Sequence, residues 1–363
     1  MAKTIYRGDY RAPTHLIDTI RLEFDLNAEE TLVKSTLEVR PNPECTEKDP
    51  PLFLNGEDIS LRSVSLDGRE LKDGEYKVEG SGLTIPGIKS AQKLEIVNTF
   101  SPRANTALSG IYASGVNLMS QCEAQGFRRI TFFEDRPDVL ARYTIVIRGS
   151  TEDFPVMLSN GNLTEDRMLE DGRREVTYVD PFPKPCYLFA LVAGKLVSRA
   201  SKFSLKDGRT VDLSVWVDPQ DLDKTEHTLE SLKRAIRWDE ERWGLELDLN
   251  DFKIVATNDF NFGAMENKGL NIFNSRCALA NPKVATDSDY LRIEGVAAGF
   301  VAAVGEDELI AAVLHDVHQF VRQKLRLEAG ACDGVEADHL RDAVDVLEFV
   351  AQVGDLGGGQ VVM

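Results

Sequence analysis

Two carboxylates stand where they could do chemistry. Glu266 lies in Asn261-Phe-Gly-Ala-Met-Glu-Asn-Lys-Gly269, a loop of small residues and amides between two strand-like runs, 252–256 and 270–273. Gly263 lets a ligand approach the backbone closely. A carboxylate fixed at such a place holds an ammonium group by a charge-assisted hydrogen bond; a solvated loop with an incidental Glu fits the same spacing. Glu123 lies in Gln121-Cys-Glu-Ala-Gln-Gly126, ahead of Phe127-Arg-Arg-Ile-Thr-Phe-Phe133 and Glu134-Asp-Arg-Pro-Asp138. It reads either as a binding carboxylate or as a polar strand end. The histidines are His15, His227, His315, His318 and His339. His315 and His318 form His-Asp-Val-His, a spacing that shares a helix face. With Glu328 or His339 they would make an adventitious metal site; otherwise they are two polar residues on a surface helix. Five cysteines without CxxC spacing indicate neither a disulfide framework nor a cysteine zinc site.

The elements that must position these residues change character along the chain. Residues 15–195 read as β-rich. Ile20-Arg-Leu-Glu-Phe-Asp-Leu26 alternates apolar and polar residues, the period of a half-buried strand. Asn55-Gly56, Asp67-Gly68, Asp73-Gly74, Asn160-Gly161 and Asp171-Gly172 supply hairpin-type turns. The pattern predicts antiparallel sheets in a sandwich or saddle. Pro181-Phe-Pro-Lys-Pro185 is expected to stop any regular element, ahead of a buried strand over 187–193 and a boundary at Gly194. Beyond it, Val215-Trp-Val217 reads as a strand and Asp218-Pro219 as a turn. A helix then runs to about Trp243, with Leu229, Leu232, Ile236 and Trp243 on one face, ended by Gly244. Strand, helix, strand and loop predict a mixed α/β domain. The last 68 residues, from Val296, contain no Pro, Trp or Tyr and carry 12 acidic against 4 basic residues. Helical periodicity is expected between Asp307 and Val350, and a frayed end from Gly354. Three segments result: 1–194, 195–295 and 296–363.

The whole chain of 363 residues has 60 acidic and 42 basic residues, a net charge of −18. That argues against nucleic acid, whose phosphates require clustered Lys and Arg, and is compatible with cationic substrates. No apolar run approaches the ~20 residues of a membrane helix. The start lacks the apolar core of a signal peptide, so the cytoplasm is the expected address.

Gly263-Ala-Met-Glu-Asn267 resembles the GAMEN signature of the zinc aminopeptidases of the aminopeptidase N family. Similar to the bacterial type are also 266–274, Gln121-Cys-Glu123, Phe127-Arg-Arg-Ile130, Asp135-Arg-Pro-Asp-Val-Leu-Ala141, Leu158-Ser-Asn-Gly161 and the whole of 180–194. The resemblance runs from about residue 5 to Gly295. It implies a family that removes N-terminal residues from peptides by zinc-dependent hydrolysis. It also implies an N-terminal β-saddle followed by the first part of a thermolysin-like catalytic domain. By the same resemblance Glu266 and Glu123 clamp the free α-amine of a peptide, and Gln121 lines the first side-chain pocket. Gly263 and Ala264 bind the peptide backbone in extended form, with Met265 and Asn267 completing the motif. Phe262 stands where relatives of this type can carry Met.

One part of the family pattern is missing. Hydrolysis there needs His-Glu-x-x-His on a helix, two ligands and a general base for zinc-bound water. In the bacterial relatives this follows closely on the block present here as Asp289-Tyr-Leu-Arg-Ile-Glu-Gly-Val296. Here Ala297-Ala-Gly-Phe-Val-Ala-Ala303 follows, and the motif occurs nowhere in the sequence. The family's downstream catalytic Tyr has no counterpart either. No zinc is expected to bind this chain. The sharp break at Val296 reads as a truncated or frame-altered, inactive form that keeps the amine-recognition residues. The alternative is a non-catalytic peptide-binding or regulatory β-domain protein.

Overall fold

The structure, a computed structural model, describes residues 10–302. The helical periodicity expected from Asp307, the frayed end, and His315, His318, Glu328 and His339 lie outside them. The chain divides into two compact units. One holds 10–196 with 267–270; of the described residues the other holds 197–266 and 271–302.

The first unit is built of strands. An eight-stranded sheet runs in the order Asn162–Met168, Arg174–Lys184, Ala141–Gly149, His15–Asp25, Thr31–Pro41, Gln92–Phe100, Ser60–Leu66, Arg69–Glu70. Its neighbours are antiparallel except His15–Asp25 with Ala141–Gly149, which run parallel. More than a hundred intervening residues supply the crossover that a parallel pair requires. A four-stranded sheet follows the order Val156–Ser159, Leu191–Gly194, Asn117–Gln121, Gly110–Ser114. Alternation places Leu22, Phe24, Leu37, Leu94, Ile145 and Ile147 in one fully buried core.

The expected turns fare unequally: Asp73-Gly74 and Asn160-Gly161 join strands of different sheets and close no hairpin. Asp67-Gly68 forms a tight hairpin, both residues with positive φ, and Asp171-Gly172 closes another. Asn55-Gly56 is no hairpin: Asn55 bridges to Phe133, and a Cβ on Gly56 would fall 2.3 Å from the Phe132 ring. Nor do the prolines after Asp180 stop the strand, which continues to Lys184. The ladder jumps from Tyr143↔Asp180 to Ala141↔Lys184, so Pro181 and Pro183 sit in a bulge where no ladder N–H is demanded. The run 187–193 begins not as strand but as a 3-10 turn, Cys186–Leu188, and only Leu191–Gly194 pairs.

The second unit has a five-stranded sheet in the order Val197–Ser204, Thr210–Val217, Asp251–Thr257, Leu270–Asn274, Ala264–Met265. Helix α1, Glu226–Arg242, buries Leu229, Leu232 and Ile236 against Leu213, Val215 and Ile254. Helix α2 is the single turn Ser275–Ala278, and α3 is Asp287–Ala302. The His227 ring donates from Nε2 to the Tyr290 carbonyl at 2.9 Å and packs edge-on against its ring, fixing α1 to α3. Among the described residues no helix is long and apolar enough to cross a membrane.

Each unit buries a carboxyl oxygen without a hydrogen-bond partner, Glu134 Oε2 in the first and Asp239 Oδ1 in the second. Burial raises both pKa values to about 7, with Arg136 opposing and Asp138 reinforcing the shift at Glu134. Folded, both keep a proton up to about pH 7; unfolded, they release it near 4.5 and 3.8. The unfolded chain therefore binds fewer protons in that window, and stability falls as pH rises through 7. The arginine-paired Glu23 and Glu175 have lowered pKa values and act in the opposite sense only at more acid pH. Thermal unfolding should occur at higher temperature at pH 5.5 than at pH 7.5. Glu134→Gln and Asp239→Asn should each flatten that difference and stabilise the protein at pH 7.5 by about 2 kcal/mol.

Candidate peptide-terminus site

Gln121 ends a strand whose five residues are all buried, and it pairs with Gly110. Its Nε2 donates to the Glu123 carbonyl at 3.4 Å, while its Oε1 is buried with no hydrogen-bond partner. The peptide bond after Glu123 is cis. Glu123 is exposed to solvent, yet the protein packed around its carboxyl raises the pKa by desolvation. The loop folds back at Gly126, whose N–H donates to the Cys122 carbonyl at 2.7 Å. A Cβ there would lie 2.4 Å from the Gln121 carbonyl oxygen and 2.9 Å from the Gly110 nitrogen. Gly126→Ala should therefore displace Gln121 and Glu123 and cost about 1–3 kcal/mol. Denaturant unfolding and peptide titration of the variant check this; a wild-type profile in both would show that the loop does not depend on this close approach.

Residues that carry no ligand chemistry of their own hold this loop in place. Arg128 donates from its backbone N and from Nε to Asp135 Oδ2, at 3.2 and 2.8 Å, and the buried Cys186 thiol donates to Asp135 Oδ1 at 3.1 Å. Asn160 does the same for the segment 267–270. Its Nδ2 donates to the Lys268 and Leu188 carbonyls, both at 2.9 Å, and its Oδ1 accepts from Ala190 N at 2.7 Å. Asn267, in that segment, is 1% exposed, and neither polar atom of its amide has a hydrogen-bond partner.

In the second unit, Ala264–Met265 is the outermost strand of its sheet among the described residues, paired on one side with Ile272 and Phe273. Among the described residues no strand of the sheet pairs with its other side, and Ala264 and Met265 are themselves 8% and 0% exposed. Gly263 stands just before this strand and Glu266 just after it, both half-buried. Asn274 fixes the approach. Its N–H donates to the Gly263 carbonyl at 2.9 Å, its Nδ2 donates to the Phe260 carbonyl at 3.3 Å, and its Oδ1 caps α2 by accepting from Arg276 N at 3.1 Å. The sequence offered one signal for Asn274: an Asn directly before a helical turn is a capping residue. Its hold on the loop needs the fold to be seen. Phe262 is 46% exposed and stacks edge-on with Phe260 rather than joining the core.

Among the described residues no three of His, Cys, Asp and Glu converge as a metal site. His15 Nε2 donates to the Ile88 carbonyl at 3.3 Å and its Nδ1 bonds Thr14, while His227 Nε2 is engaged by Tyr290. This donor set does not fit zinc, which takes three or four converging ligands.

Comparison with known proteins places the chain in context. Residues 8–188 match the Peptidase M1 N-terminal domain, and 227–300 match the Peptidase family M1 domain. Aminopeptidase N of Caulobacter vibrioides is 51% identical over 291 residues, covering 80% of this chain and 33% of that protein. Aminopeptidase N of Escherichia coli is 49% identical with the same coverage. The crystal structure of Legionella pneumophila aminopeptidase A in complex with aspartic acid superposes with a TM-score of 0.82 at 30% identity, over 89% of this chain and 39% of that one. The chain thus spans about a third of the length of the curated relatives it matches.

Proposed function

Given that this chain belongs to peptidase family M1, with the N-terminal portion of an aminopeptidase N, we propose that it grips the free amino terminus of an extended peptide without cutting it. One observation carries the reading: a strand paired on one side only among the described residues, Ala264–Met265, that is followed directly by Glu266. A peptide added to that edge forms backbone hydrogen bonds, and its terminal ammonium meets Glu266. Glu123 supplies a second carboxylate and Gln121 a first side-chain pocket, as the family resemblance implies. A carboxylate's charge is met by an ammonium and not by the neutral amide of an acetylated terminus, so the free amine is preferred.

Zinc in this family activates the attacking water. The donors of the described residues do not fit it, and no His-Glu-x-x-His occurs in the sequence. No hydrolytic step follows from these residues. The family match ends at residue 300, close to the change of character at Val296. We read that change as a break in reading frame, splicing or fusion; transcript reads across codons 285–310 that show uninterrupted family-like sequence in another frame would support it. The cytoplasm remains the proposed address, to be checked by cell fractionation.

The function is tested by titrating the purified chain with a free-amine tripeptide and its N-acetylated form. Preference for the free amine supports the reading. Equal affinity, or none for either, removes it.

A further inference from the structure

The edge strand has a second feature beside it. A solvent-open cavity of about 590 Å³ lies in the second unit, against Phe260, Phe262, Gly263, Asn274, Arg276 and Arg292. Its two guanidinium groups are not equivalent. Arg292 is discharged by Asp289 at 2.6 Å and donates to the Arg276 carbonyl at 3.2 Å. The exposed guanidinium of Arg276 has no hydrogen-bond or ion-pair partner among the described residues. The cavity therefore keeps one uncompensated positive charge in a protein of net charge −18. The Cys277 thiol on the same wall is pushed up by burial and pulled down by both Arg292 and Arg276, so both charges face that wall. Phe260 and Phe262, 6.3 Å apart edge to face, give the cavity an apolar flank.

Resting on the amine-gripping reading above, we propose that this cavity takes a carboxylate carried by the second or third residue of the bound peptide. An extended chain advances about 3.4 Å per residue. Gly263 precedes Glu266 by three positions, so a peptide whose amine sits at Glu266 and whose chain follows the strand edge reaches Gly263 at its second to third residue. The aromatic flank receives the aliphatic stem, and Arg276 closes on the carboxylate with its fork of donors. That carboxylate has two sources: an acidic side chain, or the free C-terminus of a short peptide.

Three peptides with free amines separate the possibilities when titrated into the full chain: Ala-Asp-Ala-amide, Ala-Ala-Ala-amide and Ala-Ala-Ala with a free acid. Ala-Asp-Ala-amide is expected to bind roughly fivefold tighter than the all-alanine amide, the scale of a partly exposed ion pair. Arg276→Gln should erase that preference and Arg276→Lys should keep most of it. Tighter binding of the free acid as well identifies the terminal carboxylate as a second source. Equal affinity for all three peptides, or a preference that survives Arg276→Gln, overturns the cavity assignment and leaves the amine grip standing. No binding of any of the three overturns both.

Discussion

Glu266→Ala is expected to weaken binding of a free-amine peptide by roughly ten- to a hundredfold, while leaving the weak affinity for an acetylated peptide unchanged. A hydrogen bond to a charged group is worth about 1.5–3 kcal/mol, and each 1.4 kcal/mol is tenfold. The half-buried setting of Glu266 puts the loss within that span. The side chain follows the two-residue strand Ala264–Met265, and the pairing of that strand with Ile272 and Phe273 does not depend on the carboxylate. The loss should appear in the affinity for the free-amine peptide. Glu266→Gln keeps the shape and removes the charge, and should lose nearly as much. A variant that loses affinity for acetylated and free peptides alike would mean that the carboxylate supports the loop rather than the ligand.

Asp180→Ala should destabilise the first unit by about 3–5 kcal/mol. Lys184 and Asp180 have side chains 2% and 0% exposed, and Nζ lies 3.0 Å from Oδ2. The contact is an ion pair rather than a well-aligned hydrogen bond, since neither atom has a hydrogen-bond partner of good geometry. Nζ also lies 3.6 Å from the centre of the Tyr143 ring, whose face attracts it. Burial pulls the Lys184 pKa down to about 8, and Asp180 holds it from falling further. Removing Asp180 leaves an ammonium in a low-dielectric core and frees the N–H of Phe182, which Asp180 Oδ1 accepts at 3.2 Å. Replacing both partners, Asp180→Leu with Lys184→Met, takes both charges out together and should recover much of the loss. Calorimetry of the wild type, the single variant and the double variant measures this directly. A single variant as stable as the wild type would show that the pair is not buried in solution.

Much of the architecture could be read from residue patterns, and the failures share a cause. Alternation in Ile20–Leu26 announced a half-buried strand, and the apolar spacing in 229–236 announced the buried face of α1. Local rules failed where a distant partner decided the backbone. Pro181 and Pro183 read as breakers because the bulge that absorbs them exists only opposite Ala141–Tyr143. Asn55-Gly56 read as a hairpin because Phe133, which captures Asn55, is far along the chain. The segments proposed to bind the peptide, 121–126 and 263–267, are each contiguous and so stand out in the sequence. The residues that hold those segments do not. Asn160 reaches across 108 positions to Lys268, and no local pattern encodes that. Arg276 was likewise invisible: its isolation from carboxylates is a property of the fold, not of its neighbours in sequence.

We propose for this chain the binding of a peptide amine without cleavage. The most direct measurement combines metal analysis of the purified chain, dialysed against zinc and then against buffer, with turnover of alanyl and leucyl chromogenic amides. The account expects no stoichiometric zinc and no amide release by a preparation that still binds a free-amine tripeptide in preference to its acetylated form. One tightly held zinc per molecule together with amino acid release would contradict it.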